Sequence, residues 1–284
     1  MNRSELIGIW EGKSLFHQFF WLSLMMLAGM SLATVFAVPL ARYFFELPLP
    51  FQEWMGNPDS QYANGIRLVQ FFAAFLSFFL PALLLKFFAN IDLSLKTSAN
   101  WKIYALASMV MLFSMPVVTQ LAEWSSSLPI PGAIGEALKT QQEANDNLLE
   151  QLLVMPNAWL FLGNFLVLAL LPALAEELLF RGVMLKLLLS RLSMGMSVLL
   201  NAALFSVVHQ QVFNFVGIFA LGAFLAWMYA KTMDFKLVVW LHLLNNGLLL
   251  LLIYLGLEQQ VLEQSVLICL PIVLLALFGL KRSV

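Results

Sequence analysis

Charged residues are scarce in this sequence. Asp, Glu, Lys and Arg make up 11% of the 284 residues, whereas about 25% is usual for a soluble protein. The sequence also has a single cysteine, Cys269, so an internal disulfide is excluded. Hydrophobic residues, by contrast, reach 61% and the mean hydropathy is +0.87. This balance excludes a nucleic-acid-binding protein, a secreted disulfide scaffold and a disordered chain, and it is typical of an integral membrane protein.

Long apolar runs account for most of the chain. A transmembrane helix needs about 20 predominantly apolar residues. The runs of roughly this size predict an all-α, polytopic transmembrane helix bundle of about eight spans. They cover residues 19–40, 66–88, 103–121, 158–189, 196–209, 213–230, 237–255 and 265–280. The fourth of these runs is long and the fifth is short.

The basic residues predict the orientation of the bundle, because Lys and Arg accumulate in short cytoplasmic loops. With the N-terminus in the cytoplasm, eight spans leave only Arg42, Arg67 and Lys139, of 15 basic residues, on the outer side. The cytoplasmic side then receives Arg3, Lys13, Lys86, Lys96, Lys102, Arg181, Lys186, Arg191, Lys231, Lys236, Lys281 and Arg282. Both termini are therefore predicted to be cytoplasmic.

One sizeable polar region interrupts the apolar runs, at about residues 122–157. It is predicted to lie outside, and Leu138, Leu148 and Leu152 recur in it at near-helical spacing. This pattern indicates either an amphipathic helix on the outer surface or a solvated linker helix. We therefore divide the chain into an N-terminal three-span region, residues 1–157, which includes this segment, and a second membrane region, residues 158–284.

Two adjacent carboxylates, Glu176 and Glu177, lie within the fourth apolar run. A charge inside a span costs about 2.5–3.5 kcal/mol on insertion scales, so each charge requires a partner or a function. Glu177 and Arg181 are four residues apart and are expected to form an ion pair on one helical face. Glu176 points about 100° away from that face. A carboxylate shielded from bulk water suits a general base, so Glu176 is the candidate base, and a kink at Pro172 would admit water beside it.

Polar residues also occur in the later spans. His242 and Asn246 are four residues apart and share one helical face, where they could donate hydrogen bonds to an oxyanion. His209 ends the short fifth run. Glu176 and His209 each lie about 16 residues from the intervening turn, so equal rise per residue predicts that they reach the same depth and meet.

Together these residues resemble a known family, the CAAX protease and bacteriocin-processing intramembrane endopeptidases, which are related to the type II CAAX prenyl endopeptidases and to self-immunity proteins. The family has Glu-Glu-x-x-x-Arg, Phe-x-x-x-His and His-x-x-x-Asn motifs on successive spans. This sequence has Glu176-Glu177-x-x-x-Arg181, Phe205-x-x-x-His209 and His242-x-x-x-Asn246 in that order. The resemblance covers about residues 158–255, within the region 158–284, which it identifies as catalytic.

The resemblance implies hydrolysis of a peptide bond in a membrane-associated protein or peptide. Glu176 would activate water with the aid of His209, His242 and Asn246 would stabilise the tetrahedral intermediate, and Glu177 and Arg181 would support the site. No cofactor is favoured, since no His-Glu-x-x-His motif is present, although a zinc ion on His209 and His242 is the alternative. The family branch implies a bacterial inner membrane as the location. Prenylated C-terminal tails are substrates of one branch of the family.

Two other functions use the same residues differently. A catalytically silent membrane scaffold or immunity protein would use the polar cluster only for packing, with Glu176 hydrogen-bonded to Asn201 or Asn214. A proton-coupled transporter would use Glu176, His209 and His242 as a relay. The absence of a repeated pair of broken helices in the sequence counts against the transporter.

Overall fold

A computed structural model describes residues 7–48, 50–54, 60–93, 97–127, 130–263 and 266–283. Helices account for most of these residues, and no strand occurs among them. The predicted all-α class is confirmed. Arg3 and Lys96, which entered the charge argument, and residue 265, the start of the last predicted span, lie outside the described residues.

Within these described ranges, seven helices are long and apolar enough to cross a membrane by length and composition, so the protein is an integral multi-pass membrane protein. The longer helices in chain order are α1 (Leu15–Phe45), α2 (Tyr62–Phe88), α3 (Trp101–Ser126), α4 (Gly132–Leu153), α5 (Ala158–Leu189), α6 (Met194–Val208), α7 (Val212–Thr232), α8 (Phe235–Leu255) and α9 (Val266–Ser283). Short helical turns occupy Phe51–Trp54 and Glu258–Leu262. The two helices outside the seven are the polar α4 and the apolar α6.

Helix α6 corresponds to the short fifth predicted span. It has 15 residues, fewer than the about 20 that a bilayer-spanning helix requires. Its apolar composition agrees with the sequence pattern. Because of its length, α6 is not counted among the seven helices that are long enough to span a membrane.

Polar side chains define where several of these helices begin. A side-chain oxygen at the N-cap accepts a hydrogen bond from a backbone N–H that has no partner within the helix. The residues that do so are Ser14 of α1, Asn100 of α3, Asn157 of α5, Ser193 of α6 and Asp234 of α8. These caps set the first turn of helices whose apolar sequence alone does not specify a starting point.

Helices α2 and α5 are not regular α-helices throughout. Each contains π-helical turns, at Phe75–Phe79 in α2 and at Phe165–Leu170 and Leu178–Leu185 in α5. Pro81 and Pro172 each lie two residues after such a segment. Proline has no N–H to donate and its ring crowds the carbonyl four residues earlier, so a wider turn before it relieves the clash. The irregularity expected at Pro172 therefore takes the form of a π-helical segment.

Two compact units divide the chain, and neither is continuous in sequence. Unit 1 comprises Met1–Leu93 and Asn147–Arg191, and unit 2 comprises Ser94–Asp146 and Leu192–Val284. The division of the chain at residue 157, which was drawn from the distribution of motifs and apolar runs, stays a prediction.

Unit 1 contains α1, α2 and α5. One of its buried clusters contains Val38, Ala41, Leu47, Trp54, Ile66 and Leu152. Close backbone packing joins α1 to the π segment of α2, because a Cβ on Gly29 would lie 2.0 Å from the carbonyl oxygen of Leu76. Only glycine allows this approach, which is a common device between membrane helices.

Unit 2 contains α3, α6, α7, α8 and α9, and small residues again allow close contacts. A Cβ on Gly217 of α7 would lie 3.2 Å from the carbonyl oxygen of Val118 in α3. Cys269 of α9 is free and 1% exposed, so it is a buried residue of this unit. The indole nitrogen of Trp240 in α8 donates to the hydroxyl of Ser108 in α3 at 3.0 Å.

The predicted amphipathic segment forms α4, 22 residues long. Most of its residues are exposed, whereas buried or half-buried positions recur every three or four residues. These positions are Gly135, Leu138, Gln142, Asn145, Leu148 and Leu152. Within unit 1, the last turn is held by Gln151, whose Nε2 donates to the carbonyl of Trp54 at 2.9 Å. The helical prediction is confirmed, and the placement of the segment outside the membrane stays a prediction.

Asp234 accepts hydrogen bonds from three backbone N–H groups of unit 2. It is completely buried. Its Oδ2 accepts from the backbone N–H groups of Ser98 and Ala99 at 3.0 and 3.1 Å, and its Oδ1 caps α8 through Leu237 at 3.1 Å. One carboxylate therefore fixes both the start of α8 and the segment that precedes α3.

We expect Asp234→Ala to lower the free energy of unfolding by about 3 kcal/mol, because hydrogen bonds to a charged group contribute about 1.5–3 kcal/mol each and the buried N–H groups would lose their acceptor. Thermal unfolding of the purified protein in detergent measures the effect. The control is Asp146→Ala, which removes an exposed carboxylate of the same unit and should leave the melting temperature unchanged. Equal melting temperatures for both variants would contradict the assignment.

Candidate active site

The candidate residues occur in two groups, one in each compact unit. Glu176, Glu177 and Arg181 belong to unit 1, and His209, His242 and Asn246 belong to unit 2. The expected meeting of Glu176 with His209 stays a prediction.

In unit 1, Glu177 and Arg181 form the expected ion pair. Nη1 of Arg181 donates to Oε1 of Glu177 at 2.9 Å, and both side chains are completely buried. Glu177 ends a regular helical segment, and Arg181 lies in the π-helical segment Leu178–Leu185, of which every residue is buried. A buried pair of this kind is costly to separate, because removal of one partner leaves the other charge uncompensated.

Glu176 has different surroundings from its neighbour. It is half-buried, whereas Glu177 has no exposed surface. Arg181 interacts electrostatically with both carboxylates, and the interaction with Glu177 is the larger. Glu176 is thus the one of the two acids that retains some exposed surface, although its Oε2 atom is buried.

In unit 2, His209 follows directly after the end of α6. Its Nδ1 donates to the carbonyl oxygen of Phe205 at 2.7 Å. A carbonyl oxygen can only accept, so Nδ1 carries the proton and Nε2 is the basic nitrogen of the neutral ring. The backbone of α6 thus selects the tautomer and orients the ring, as is common for functional histidines.

Phe205 contacts both histidines of this unit. Its ring centroid is 4.4 Å from that of His209 and 6.2 Å from that of His242, the latter in an edge-on arrangement. His242 itself is 6% exposed, so it is held within the unit. The phenylalanine of the Phe-x-x-x-His motif, to which the sequence assigned no role, therefore packs against both imidazoles.

Asn246 has a neighbour that sequence reasoning missed. Nδ2 of Asn245 donates to Oδ1 of Asn246 at 3.0 Å. This bond occupies the amide oxygen of Asn246 and so orients the amide group. Both residues are half-buried on α8. In the sequence, only the adjacency of the two asparagines indicated this contact.

Gly222 of α7 is a second residue that the sequence did not single out. A Cβ at this position would lie 3.0 Å from Cδ1 of Phe205 and 3.5 Å from Cα of Ala202. Because glycine has no side chain, α7 can approach α6 closely, and the ring of Phe205 packs against the backbone of α7 at this position. The sequence contains 15 glycines, and nothing in the local pattern distinguishes this one.

Other polar residues have contacts of their own. His17 packs edge-on against Trp10, with centroids 5.7 Å apart. Asn214 donates to Oε1 of Gln211 at 3.1 Å. Asn201 is completely buried on α6.

A metal site was the alternative interpretation of the two histidines. Across the described ranges of the chain, no three His, Cys, Asp or Glu residues are grouped so that they could hold a metal ion. The zinc alternative on His209 and His242 stays a prediction.

A comparison with protein families matches residues 158–248 to the model described as type II CAAX prenyl endopeptidase Rce1-like. The family resemblance inferred from the three motifs is thereby confirmed, and the matched range contains all of them. The family is one of proteases, and the match begins where the fourth predicted span begins. Neither the comparison with curated proteins nor that with solved structures gives a match.

We expect Glu177→Gln to lower the free energy of unfolding by about 3–5 kcal/mol, because it removes the buried carboxylate that is hydrogen-bonded to the buried Arg181. Glu176→Gln removes a half-buried charge and should cost about 1 kcal/mol or less. Thermal unfolding in the same detergent gives the melting temperatures of the two variants, which carry the same substitution at neighbouring positions. A larger loss for Glu176→Gln would reverse the structural and chemical roles assigned to the two acids.

Proposed function

Since residues 158–248 match the type II CAAX prenyl endopeptidase family, we propose that the protein is an intramembrane endopeptidase that hydrolyses a peptide bond of a membrane-associated protein or peptide. The observation that carries the proposal is the contrast between the two acids. Glu177 is completely buried in an ion pair, whereas Glu176 beside it is half-buried. The domain thus has one carboxylate for structure and one for chemistry.

In the proposed reaction Glu176 acts as the general base. It takes a proton from water while the water oxygen attacks the scissile carbonyl carbon, and a tetrahedral intermediate forms. The intermediate then collapses, the C–N bond breaks, and the proton passes to the leaving amine. No covalent enzyme intermediate is involved, and the lytic water supplies the oxygen of the new carboxylate.

His209 assists this proton transfer. Its Nδ1 is bonded to the carbonyl oxygen of Phe205, so Nε2 is the nitrogen that can accept a hydrogen bond from water or receive a proton. His242 and Asn246 stabilise the oxyanion of the intermediate by donating hydrogen bonds. The bond from Asn245 to the amide oxygen of Asn246 supports this role, because it leaves the amide nitrogen of Asn246 as the group that donates.

We further propose that both termini lie in the cytoplasm and that the protein resides in a bacterial inner membrane. The first statement rests on the distribution of basic residues over eight spans, and it requires that α6 crosses the membrane in addition to the seven longer helices. The second rests on analogy with the family branch that the motifs resemble.

The first test compares the termini of membrane proteins in cells with wild-type protein or Glu176→Gln at equal abundance. We expect new termini only with wild type, because the amide cannot accept a proton from water. Asn245→Ala is the graded comparison, since it removes a residue that orients Asn246 and should reduce cleavage without abolishing it. Identical termini for wild type and Glu176→Gln, under conditions where wild type has a phenotype, would favour the membrane scaffold or immunity protein.

The second test concerns metal. We propose a mechanism that uses no metal ion, and exhaustive chelation should therefore leave the cleavage rate of the purified protein within about twofold of the untreated sample. A zinc protease chelated in parallel controls for the efficiency of metal removal. Loss of activity on chelation, restored by stoichiometric Zn²⁺, would instead assign a zinc ion to His209 and His242.

A further inference from the structure

Arg67 is a second buried cation, and it lies in unit 1 away from the Glu-Glu-x-x-x-Arg motif. It is 6% exposed. Its Nε donates to Oδ1 of Asn164 at 2.6 Å, its Nη1 to Oδ1 of Asn64 at 2.7 Å and its Nη2 to the carbonyl oxygen of Leu152 at 3.2 Å. All three acceptors are neutral.

The charge of Arg67 is therefore not balanced by the residues around it. Among the described residues, no carboxylate lies within 4.0 Å of the guanidinium nitrogens of Arg67, in contrast to Arg181, which pairs with Glu177. A guanidinium has five N–H groups, so the three bonds leave one N–H on each terminal nitrogen for a further acceptor. A cation within a span is costly unless an anion pairs with it.

Arg67 lines an apolar groove of about 490 Å³ within unit 1. The groove runs between α2 and α5, and Arg67 and Asn64 are its polar residues. Leu166, Leu170 and Leu174 are among the side chains that line it along α5. A volume of this size is typical of a site for a small amphiphile.

The dimensions of the groove fit one leaflet of a bilayer. Arg67 lies five residues from the start of α2, which corresponds to about 7.5 Å along the helix. The lining of α5 extends from Gly163 to Leu174, about 16 Å at a rise of 1.5 Å per residue. Half of a hydrocarbon core is about 15 Å. The cation thus lies near one end of its span, and the apolar lining extends over about the length of an acyl chain.

Gly163 leaves space beside the cation. A Cβ there would have one neighbour within 4 Å, Cδ of Arg67 at 3.8 Å, which is an ordinary contact. Glycine in a helix interior is less favourable than alanine by about 1 kcal/mol. No close helix packing requires a glycine at this position, in contrast to Gly29. Its effect is to keep the groove open next to the guanidinium.

We propose that this groove binds an anionic phospholipid, with the phosphate on Arg67 and one acyl chain along α5. The two remaining N–H groups of the guanidinium suit two phosphate oxygens, and basic pockets between membrane helices are known to select anionic lipids. Charge complementarity selects an anionic over a zwitterionic headgroup. The proposal does not depend on proteolysis, since binding is measured without turnover.

The test uses the purified full-length protein in a neutral detergent, titrated with phosphatidylglycerol or with phosphatidylcholine of identical acyl chains. Native mass spectrometry counts the bound lipid. We expect wild type to prefer phosphatidylglycerol by about fivefold, the factor for one basic residue near an anionic lipid. Arg67→Gln should reduce the ratio to near one. Arg42→Gln, a half-buried cation of the same unit that does not line the groove, should retain it.

Gly163→Leu provides a second variant, because it fills the groove and keeps the charge of Arg67. It should also abolish the preference, whereas Gly195→Leu, at a helical glycine with nothing within 4 Å, should not. If Arg67→Gln does not fold, Gly163→Leu decides. Equal binding of both lipids by wild type, or a preference that survives in Gly163→Leu, would overturn the proposal. Preference for a peptide carboxylate over its amide, without lipid preference, would assign the groove to a peptide and overturn it as well.

Discussion

The buried ion pair between Glu177 and Arg181 is the constraint on which the described site depends. Both side chains are completely buried and 2.9 Å apart. Every residue of the π-helical turn that contains Arg181 is buried. Either charge alone would be unfavourable in such an environment, so the two side chains depend on each other. The proposed function assigns the chemistry to the adjacent carboxylate, Glu176. Glu176 differs from Glu177 in exposure because consecutive residues of a helix point in different directions.

Other buried charges of the protein are satisfied in other ways. Asp234 accepts three backbone N–H groups and so needs no cation. Arg67 has three neutral oxygens and no carboxylate among the described residues. Glu177 and Arg181 thus use a counter-ion, Asp234 uses backbone donors and Arg67 uses neutral acceptors. The three arrangements differ in the net charge that remains. Only Arg67 combines a remaining positive charge with an open apolar groove, which is why it points to an external anion.

Aromatic packing and small residues organise the histidine group of unit 2. Phe205 packs against His209 and His242, and Gly222 leaves the space that its ring occupies. A rigid ring between polar groups limits their rotamers and excludes water from their apolar faces. The hydrogen bond from His209 to the backbone adds the choice of tautomer. Phe205 of the Phe-x-x-x-His motif thus packs against His209, the residue to which the proposed function assigns proton transfer.

The sequence by itself determined the helical class, all seven of the described helices that are long enough to span a membrane, and the partnership of Glu177 with Arg181. These features depend on apolar run length and on spacing within one helix, which are local properties. The π-helical turns, the double contact of Phe205, the bond between Asn245 and Asn246 and the role of Gly222 were decided only by tertiary structure. So was the bond from Arg67 to Asn164, 97 residues away. Such contacts depend on which helix faces pack together, and an apolar run has no polar face from which that choice could be read.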